Sequence, residues 1–159
     1  MRDLPFLYDD QILTSGNASF QPGDVYAWRG GSGRKEWAFV KYVELDNGGC
    51  SRGEALVTNY ATLADYSMAK ASTDDMYSRP FRGLAAATIA SGKFGFMIFG
   101  GYCEKADISM TVASGDFLSL SGSVAGKLTG LQASPHAVAV SRTAIATGVG
   151  SVSLIGMWG

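Results

Sequence analysis

A single histidine, two cysteines and four prolines are all that the 159 residues supply of the types that most often ligate metals, form cross-links or stiffen bends. With so few His and Cys, the usual zinc spacings cannot be met. His136 follows Ser134-Pro135 in a loop ahead of the last apolar segment and reads as a surface residue. Cys50 and Cys103 are too few for a disulfide scaffold. They read as reduced thiols of a chain made in the cytosol, with a bridge between them as the open alternative. Charge of one sign is also missing in runs. Thirteen Lys and Arg stand against fourteen Asp and Glu, for a net charge of −1. No basic stripe is available to grip phosphates, so nucleic acid is not an expected partner. The opening MRDLPFLYDDQ lacks the apolar core of a secretory signal. The most apolar stretch, Leu84 to Tyr102, is broken by Lys93 and several glycines and falls short of a membrane span, so no membrane partner is expected.

No catalytic set assembles either. Gly122-Ser-Val-Ala-Gly-Lys-Leu-Thr129 looks at first like a phosphate-binding loop. Its glycines are one residue too close, and Leu128 stands where Ser or Thr should follow the lysine. Asp9-Asp10 and Asp74-Asp75 are adjacent carboxylates, which point to opposite sides of an extended chain. Both read as solvated loops, with a calcium site at 74–75 as the lesser alternative. The sequence therefore predicts no enzyme, no cofactor and no metal.

What is present favours strands. Hydrophobic residues make up 47% of the chain and there are 21 glycines, enough for a core and many tight turns. Residues 1–21 have no sustained period. Leu4, Phe6, Leu7, Ile12 and Leu13 are apolar anchors in a polar context, which reads as an extended arm that docks on something, or equally as an N-terminal strand of the same domain. Pro22-Gly23 is a turn signal, and strands are expected over Asp24–Arg29 and Trp37–Leu45. Arg29-Gly-Gly-Ser-Gly-Arg34 reads as the loop between them. Asp46-Asn-Gly-Gly49 is the strongest turn, and Glu54–Thr58 is the expected return strand of a hairpin around it. Residues 59–72 suit a short helix, or a loop and a strand. Residues 73–80 form a polar loop.

The second half of the chain echoes the first. Gly53-Glu-Ala-Leu-Val lies over Gly115-Asp-Phe-Leu-Ser at an offset of 62, and Lys70-Ala-Ser72 over Gln132-Ala-Ser134 at the same offset. Leu84–Gly100 lies over Val140–Gly156 at an offset of 56, so six extra residues belong to the first copy, placed in the loop near Asp74-Asp75. Each copy opens on a Gly-acid pair and closes on a hairpin turned at Gly92 or Gly148. Phe94–Phe99 is apolar apart from one glycine and is expected to be buried on both faces. Val152 and Leu154, flanked by Ser151 and Ser153, show period two. The expected fold is all-β: two related antiparallel β units, as a sandwich or small barrels, arising from an internal duplication and preceded by an extended N-terminal arm. The divisions are an arm at 1–21, a first β unit with its leading hairpin at 22–102, and a second β unit at 103–159.

The run Arg82-Gly-Leu-Ala-Ala-Ala-Thr-Ile-Ala-Ser-Gly-Lys-Phe-Gly-Phe-Met-Ile-Phe-Gly-Gly101 resembles a glycine hairpin found in small structural proteins of tailed phages. Val112-Ala-Ser-Gly-Asp-Phe-Leu118, Ala125-Gly-Lys-Leu128 and the closing stretch Ala139–Ile155 follow in the order seen there. Over about residues 80–156, the chain is similar to capsid decoration, or head-stabilising, proteins. The resemblance implies a β-rich and often trimeric subunit, made in the host cytoplasm and bound to the outside of the virion shell. Its partners would be the major capsid protein and its own copies. Candidate interface residues are the arm anchors Leu4, Phe6, Leu7, Ile12 and Leu13, together with Trp28 and Trp158; core packing is the default for most other aromatics. The alternatives are another head or tail subunit, such as a fibre base or tube protein, and a carbohydrate-binding β module. The last would need a shallow groove with two or more co-planar aromatic rings.

Overall fold

The computed structural model describes residues 22–30, 33–43, 48–59, 66–75, 81–131 and 136–155. The fold is all-β. Its ten strands are β1 (Val25–Gly30), β2 (Gly33–Tyr42), β3 (Ala55–Thr58), β4 (Ser67–Lys70), β5 (Phe81–Ala85), β6 (Phe94–Ile108), β7 (Phe117–Leu120), β8 (Leu128–Gly130), β9 (Ala139–Ser141) and β10 (Gly148–Leu154). The arm at 1–21 lies outside the described residues.

The topology turns on β6, which at 15 residues is the longest strand. Its first half runs antiparallel to β2, from Phe94 opposite Lys41 to Gly101 opposite Lys35. On the other edge, Ile98 and Met97 pair with Leu84 and Ala85 of β5. Its second half pairs antiparallel with β10, from Gly101 opposite Leu154 to Ile108 opposite Gly148. Ile108 also pairs with Leu128 of β8, in parallel. The sheet therefore closes on itself twice. One circuit runs β2-β4-β3-β5-β6 and back to β2; the other runs β6-β10-β9-β7-β8 and back to β6. Register shifts opposite Glu36/Trp37 and Gly150/Val152 interrupt the β6 ladders. Bulges of this kind bend a strand and increase its twist, so they suit a strand that passes from one circuit into the next. The boundary placed at 102/103 from the sequence falls inside this continuous strand.

One expected pairing is corrected. β3 does not return along β2 in a hairpin; it pairs with β4 and β5, and β4 lies between β2 and β3, parallel to β2. The link from β2 to β3 is occupied otherwise. Cys50 leaves it to form a two-way bridge with Ile89, both hydrogen bonds 2.9 Å long, across the end of the circuit. A turn signal predicts local reversal, but it does not say which strand fills the vacant edge.

The two circuits match in strand order and in several key bonds, although the offset falls from 56 to 55 between β6 and β10, where Leu84 pairs with Ile98 and Val140 with Ser153. The Cys50–Ile89 bridge has its counterpart in Val112–Ile145, again with both bonds at 2.9 Å. The Gly53 N–H donates to Ala85 O at 2.8 Å, and the Gly115 N–H to Ser141 O at 2.8 Å. These pairs keep the offsets of 62 and 56 read from the sequence. The middle of the alignment shifts, however. Leu56 pairs with Lys70 and Leu118 with Gly130, so Lys70 corresponds to Gly130 rather than to Gln132. The offset there is 60. Two of the six extra residues thus belong to the connection between β3 and β4, and the other four to the stretch before β5.

Each circuit has its own filling. Ala38, Val40 and Tyr42 of β2, Leu56, Met68, Ala85, Met97 and Phe99 pack with Cys50 and Ile89. In the second unit Ala106, Ile108, Leu118, Leu128, Val152 and Leu154 pack with Val112 and Ile145, in a cluster that continues onto Trp37, Phe39, Leu84, Phe96 and Ile98. Phe96 and Ile98 belong to one cluster and Met97 and Phe99 to the other, and residues 95–100 are all buried, so β6 is covered on both faces there as its composition implied, with Phe94 half-buried at its start. Burying a side chain such as Ile89 contributes about 1.5–3 kcal/mol. Gly95 and Gly150 leave room for it and for its counterpart: a Cβ on either would meet the side chain of Ile89 or Ile145. Both cysteines are buried thiols, one in each cluster.

Gly53 and Gly115 occupy equivalent turns with φ of +87° and +90°. A Cβ on Gly115 meets nothing within 4 Å, whereas one on Gly53 would run into the carbonyl oxygen of Lys105 in β6. Gly115→Ala is expected to cost about 1–2 kcal/mol, the left-handed penalty alone. Gly53→Ala is expected to cost at least about 3 kcal/mol, because a backbone clash is added. Urea denaturation of the two variants measures the difference.

Candidate interaction surface

The Gly-acid pairs that open the units are structural. The Glu54 carboxylate accepts the Ser51 N–H at 2.7 Å, and the Asp116 carboxylate accepts the Ala113 N–H at 2.7 Å. Each side chain thereby holds the turn that launches β3 or β7. Asp75 does the same, accepting the Ser72 N–H at 2.7 Å, and is buried. The Asp74-Asp75 loop is thus a local backbone cap. Among the described residues, no group of three or more His, Cys, Asp or Glu is placed to hold a metal ion. His136 is exposed at the approach to β9.

At the junction of the units sits a stack of cations and rings. The Lys35 side chain is buried, with Nζ 3.6 Å from the Glu104 carboxylate. It also lies 6.0 Å from the Trp37 ring centroid and 5.8 Å from that of Tyr102. The Arg142 guanidinium covers Tyr102 at 4.6 Å, and the Tyr102 hydroxyl meets Ser151 Oγ at 3.2 Å. Residues of β2, β6, β10 and the β9–β10 turn are tied together here. Lys35 is paired with Glu104 and the cations lie over the rings, so this is a clamp between the units.

The outside of the second unit is different in character. Phe117 is 54% exposed and Leu131 44% exposed. Phe117 sits opposite the half-buried Val140 of β9, and its carbonyl accepts the Leu131 N–H at 2.9 Å, so the three adjoin. Their equivalents in the first unit are Ala55, Leu84 and Ala71, all fully or almost fully buried. The first unit has covered this face and the second presents it to solvent. A contiguous apolar patch of this kind marks an interaction surface.

The residues singled out from the sequence are not the ones found here. Leu4, Phe6, Leu7, Ile12, Leu13 and Trp158 lie outside the described residues. Trp28 has its backbone in β1 opposite Lys35, and its side chain is not among those described. Nothing in the local pattern around Phe117 or Leu131 marks either residue as exposed. The available signal was the comparison of copies, which sets Phe117 over Ala55.

No family model and no curated protein matches this chain. Among the described aromatics, Phe117 alone is exposed; Tyr66, Phe94 and Tyr102 are half-buried and the others buried. The described surface therefore has no pair of exposed co-planar rings on which a sugar would stack. Among the described residues, no helix is long and apolar enough to cross a membrane.

Asp116→Ala is expected to destabilise the fold by about 1 kcal/mol through loss of the turn bond. Phe117→Ser, on the exposed face, is expected to change stability by no more than about 0.5 kcal/mol. Thermal melts of both variants check the contrast.

Proposed function

We propose that this chain is a non-enzymatic virion structural protein that binds the outer surface of a phage capsid and stabilises it, with the major capsid protein and its own copies as partners. The observation that carries the reading is the bare apolar face at Phe117, Leu131 and Val140 on a body whose strands otherwise close into two circuits. A protein that reinforces a shell has to be stiff and has to adhere. Closed circuits leave few strand edges open to unwanted pairing, and an apolar patch on a rigid support supplies adhesion without ordering cost. The resemblance of residues 80–156 to decoration proteins adds the capsid as the target. The matched bonds of the two circuits fit an origin by copying of one β unit. Another head or tail subunit, such as a tube or fibre base, uses the same physical properties and is the second reading.

Purified protein is expected to cosediment saturably with shells of its cognate major capsid protein, and to raise their thermal dissociation temperature. Deleting residues 1–21 is expected to weaken that binding by about tenfold or more, or about 1.4 kcal/mol. Failure of the full chain to cosediment at saturating concentration would overturn the reading. Unchanged binding after the deletion would remove the arm from it.

A further inference from the structure

Besides the shared strand and the clamp, the two units meet through a short backbone plug. The start of the first unit's β3 enters the second unit between β6 and the turn before β8. There the Asp107 N–H donates to Gly53 O at 3.0 Å, and the Ala55 N–H donates to Gly126 O at 2.7 Å. The Gly126 N–H returns the contact to Ala71 O at 2.7 Å. The plug is thus Gly53–Ala55 with Ala71, and the socket is Asp107 with Gly126.

The equivalences between the units put the same parts elsewhere in the molecule. The second unit carries a plug at Gly115–Phe117 with Leu131. Gly115 has open space beside it, and both Phe117 and Leu131 are exposed. The first unit carries a socket at Lys41 and Tyr66, and this one is shut. The Lys41 N–H donates to Tyr66 O at 3.1 Å, and beside it the Gly23 N–H donates to Phe39 O at 2.8 Å, with the Tyr66 ring over Gly23. Tyr66 has φ of +62°, the same left-handed conformation as Gly126 at +76°, and it is the one non-glycine residue with positive φ among those described. A bulky residue holds that conformation at a cost of about 1–2 kcal/mol. Such strain is kept where the surroundings or a function require it.

The sizes are also complementary. Lys70 and Glu54 crowd Gly126 so closely that a Cβ there would lie 2.8 Å from Lys70 and 3.0 Å from Glu54. At the exposed plug, the corresponding residues are Gly130 and Asp116. The smaller pair makes room for a tyrosine in place of a glycine.

We infer that a second copy of this chain docks head to tail on the first: the plug Gly115–Phe117 with Leu131 enters the Lys41–Tyr66 socket of the next copy, which opens as Gly23 leaves Phe39. The Lys41–Tyr66 bond is exchanged for three intermolecular bonds patterned on those inside the chain: Lys41 to Gly115, Phe117 to Tyr66, and Tyr66 to Leu131. Such a contact is heterologous, and it closes into a ring or continues as a filament according to its rotation. Pro22–Asp24 acts as an internal stopper that keeps the socket shut until a neighbour arrives. This inference deepens the self-association in the proposed function and rests on that part of it, not on capsid binding.

Light scattering over a concentration series tests it in the full chain. Wild-type protein is expected to associate reversibly into multiples of 16.7 kDa. The double variant Phe117→Asp, Leu131→Asp is expected to stay at the monomer mass with an unchanged melting temperature. Gly23→Val, which expels the stopper, is expected to strengthen association by about tenfold. As a second readout, Leu131→Cys and Tyr66→Cys proteins are mixed under oxidation. A cross-link that forms only in the mixture supports the head-to-tail contact. A wild-type monomer at all concentrations, together with a monomeric Gly23→Val variant, overturns the inference and the self-association with it, while capsid binding stands or falls separately. An oligomer that survives the double Asp variant, or that cross-links through Leu131→Cys alone, overturns only the head-to-tail contact.

Discussion

Everything in this fold depends on the backbone hydrogen bonds along both edges of β6. Fifteen residues of one strand serve β2, β5, β10 and β8, and each circuit closes only because β6 offers it an edge. Main-chain donors and acceptors that are buried must be paired. A strand used on both edges, and covered on both faces from 95 to 100, therefore has no alternative place to go. The side chains accommodate this demand: apolar residues on both faces from 95 to 100, glycines where a neighbour's backbone or side chain comes close, and register shifts where the strand leaves one circuit for the other.

The two units share their bonding pattern but not their surfaces. The first has small or buried residues at Ala55, Ala71 and Leu84, where the second has Phe117, Leu131 and Val140. The first unit's socket is shut by Lys41 and Tyr66, whereas the second unit's socket is filled by Gly53 and Ala55. The chain is thus polar in the sense of having two unlike ends. That asymmetry has a physical origin. A contact made once inside the chain leaves a second plug and a second socket that do not meet, and side-chain size then decides whether each is blocked or left available. A stiff body with unlike ends and an apolar face suits a component of a larger assembly.

Much of the fold was legible because it rests on local chemistry. The Gly-acid turns, the hairpin glycines and the buried apolar run at Phe94–Phe99 each have one physical explanation, and all three lie where turn chemistry and composition placed them. The offsets of 62 and 56 survive in the bridges Cys50–Ile89 and Val112–Ile145 because those positions close the circuits and tolerate no slip. The offset between Lys70 and Gln132 did not survive, because a connection can lose two residues without disturbing the ladder on either side. The surface was less legible. Aromatic residues drew attention to Trp28 and Trp158, although what makes Phe117 available is the absence of anything over it.

The sequence by itself determined that the chain is all-β, that it says nearly the same thing twice, and that the apolar run ahead of Gly100 is buried. These follow from side-chain period and backbone preference, which act over a few residues. Only the tertiary structure decided that β4, not β3, lies beside β2, that one strand belongs to both circuits, and that Phe117 with Leu131 faces outward while Ala55 with Ala71 does not. Strand neighbours are chosen by which edges remain unpaired once the rest has closed, and exposure by what the other unit covers. Both are properties of the whole assembly of strands, and no window of sequence contains them.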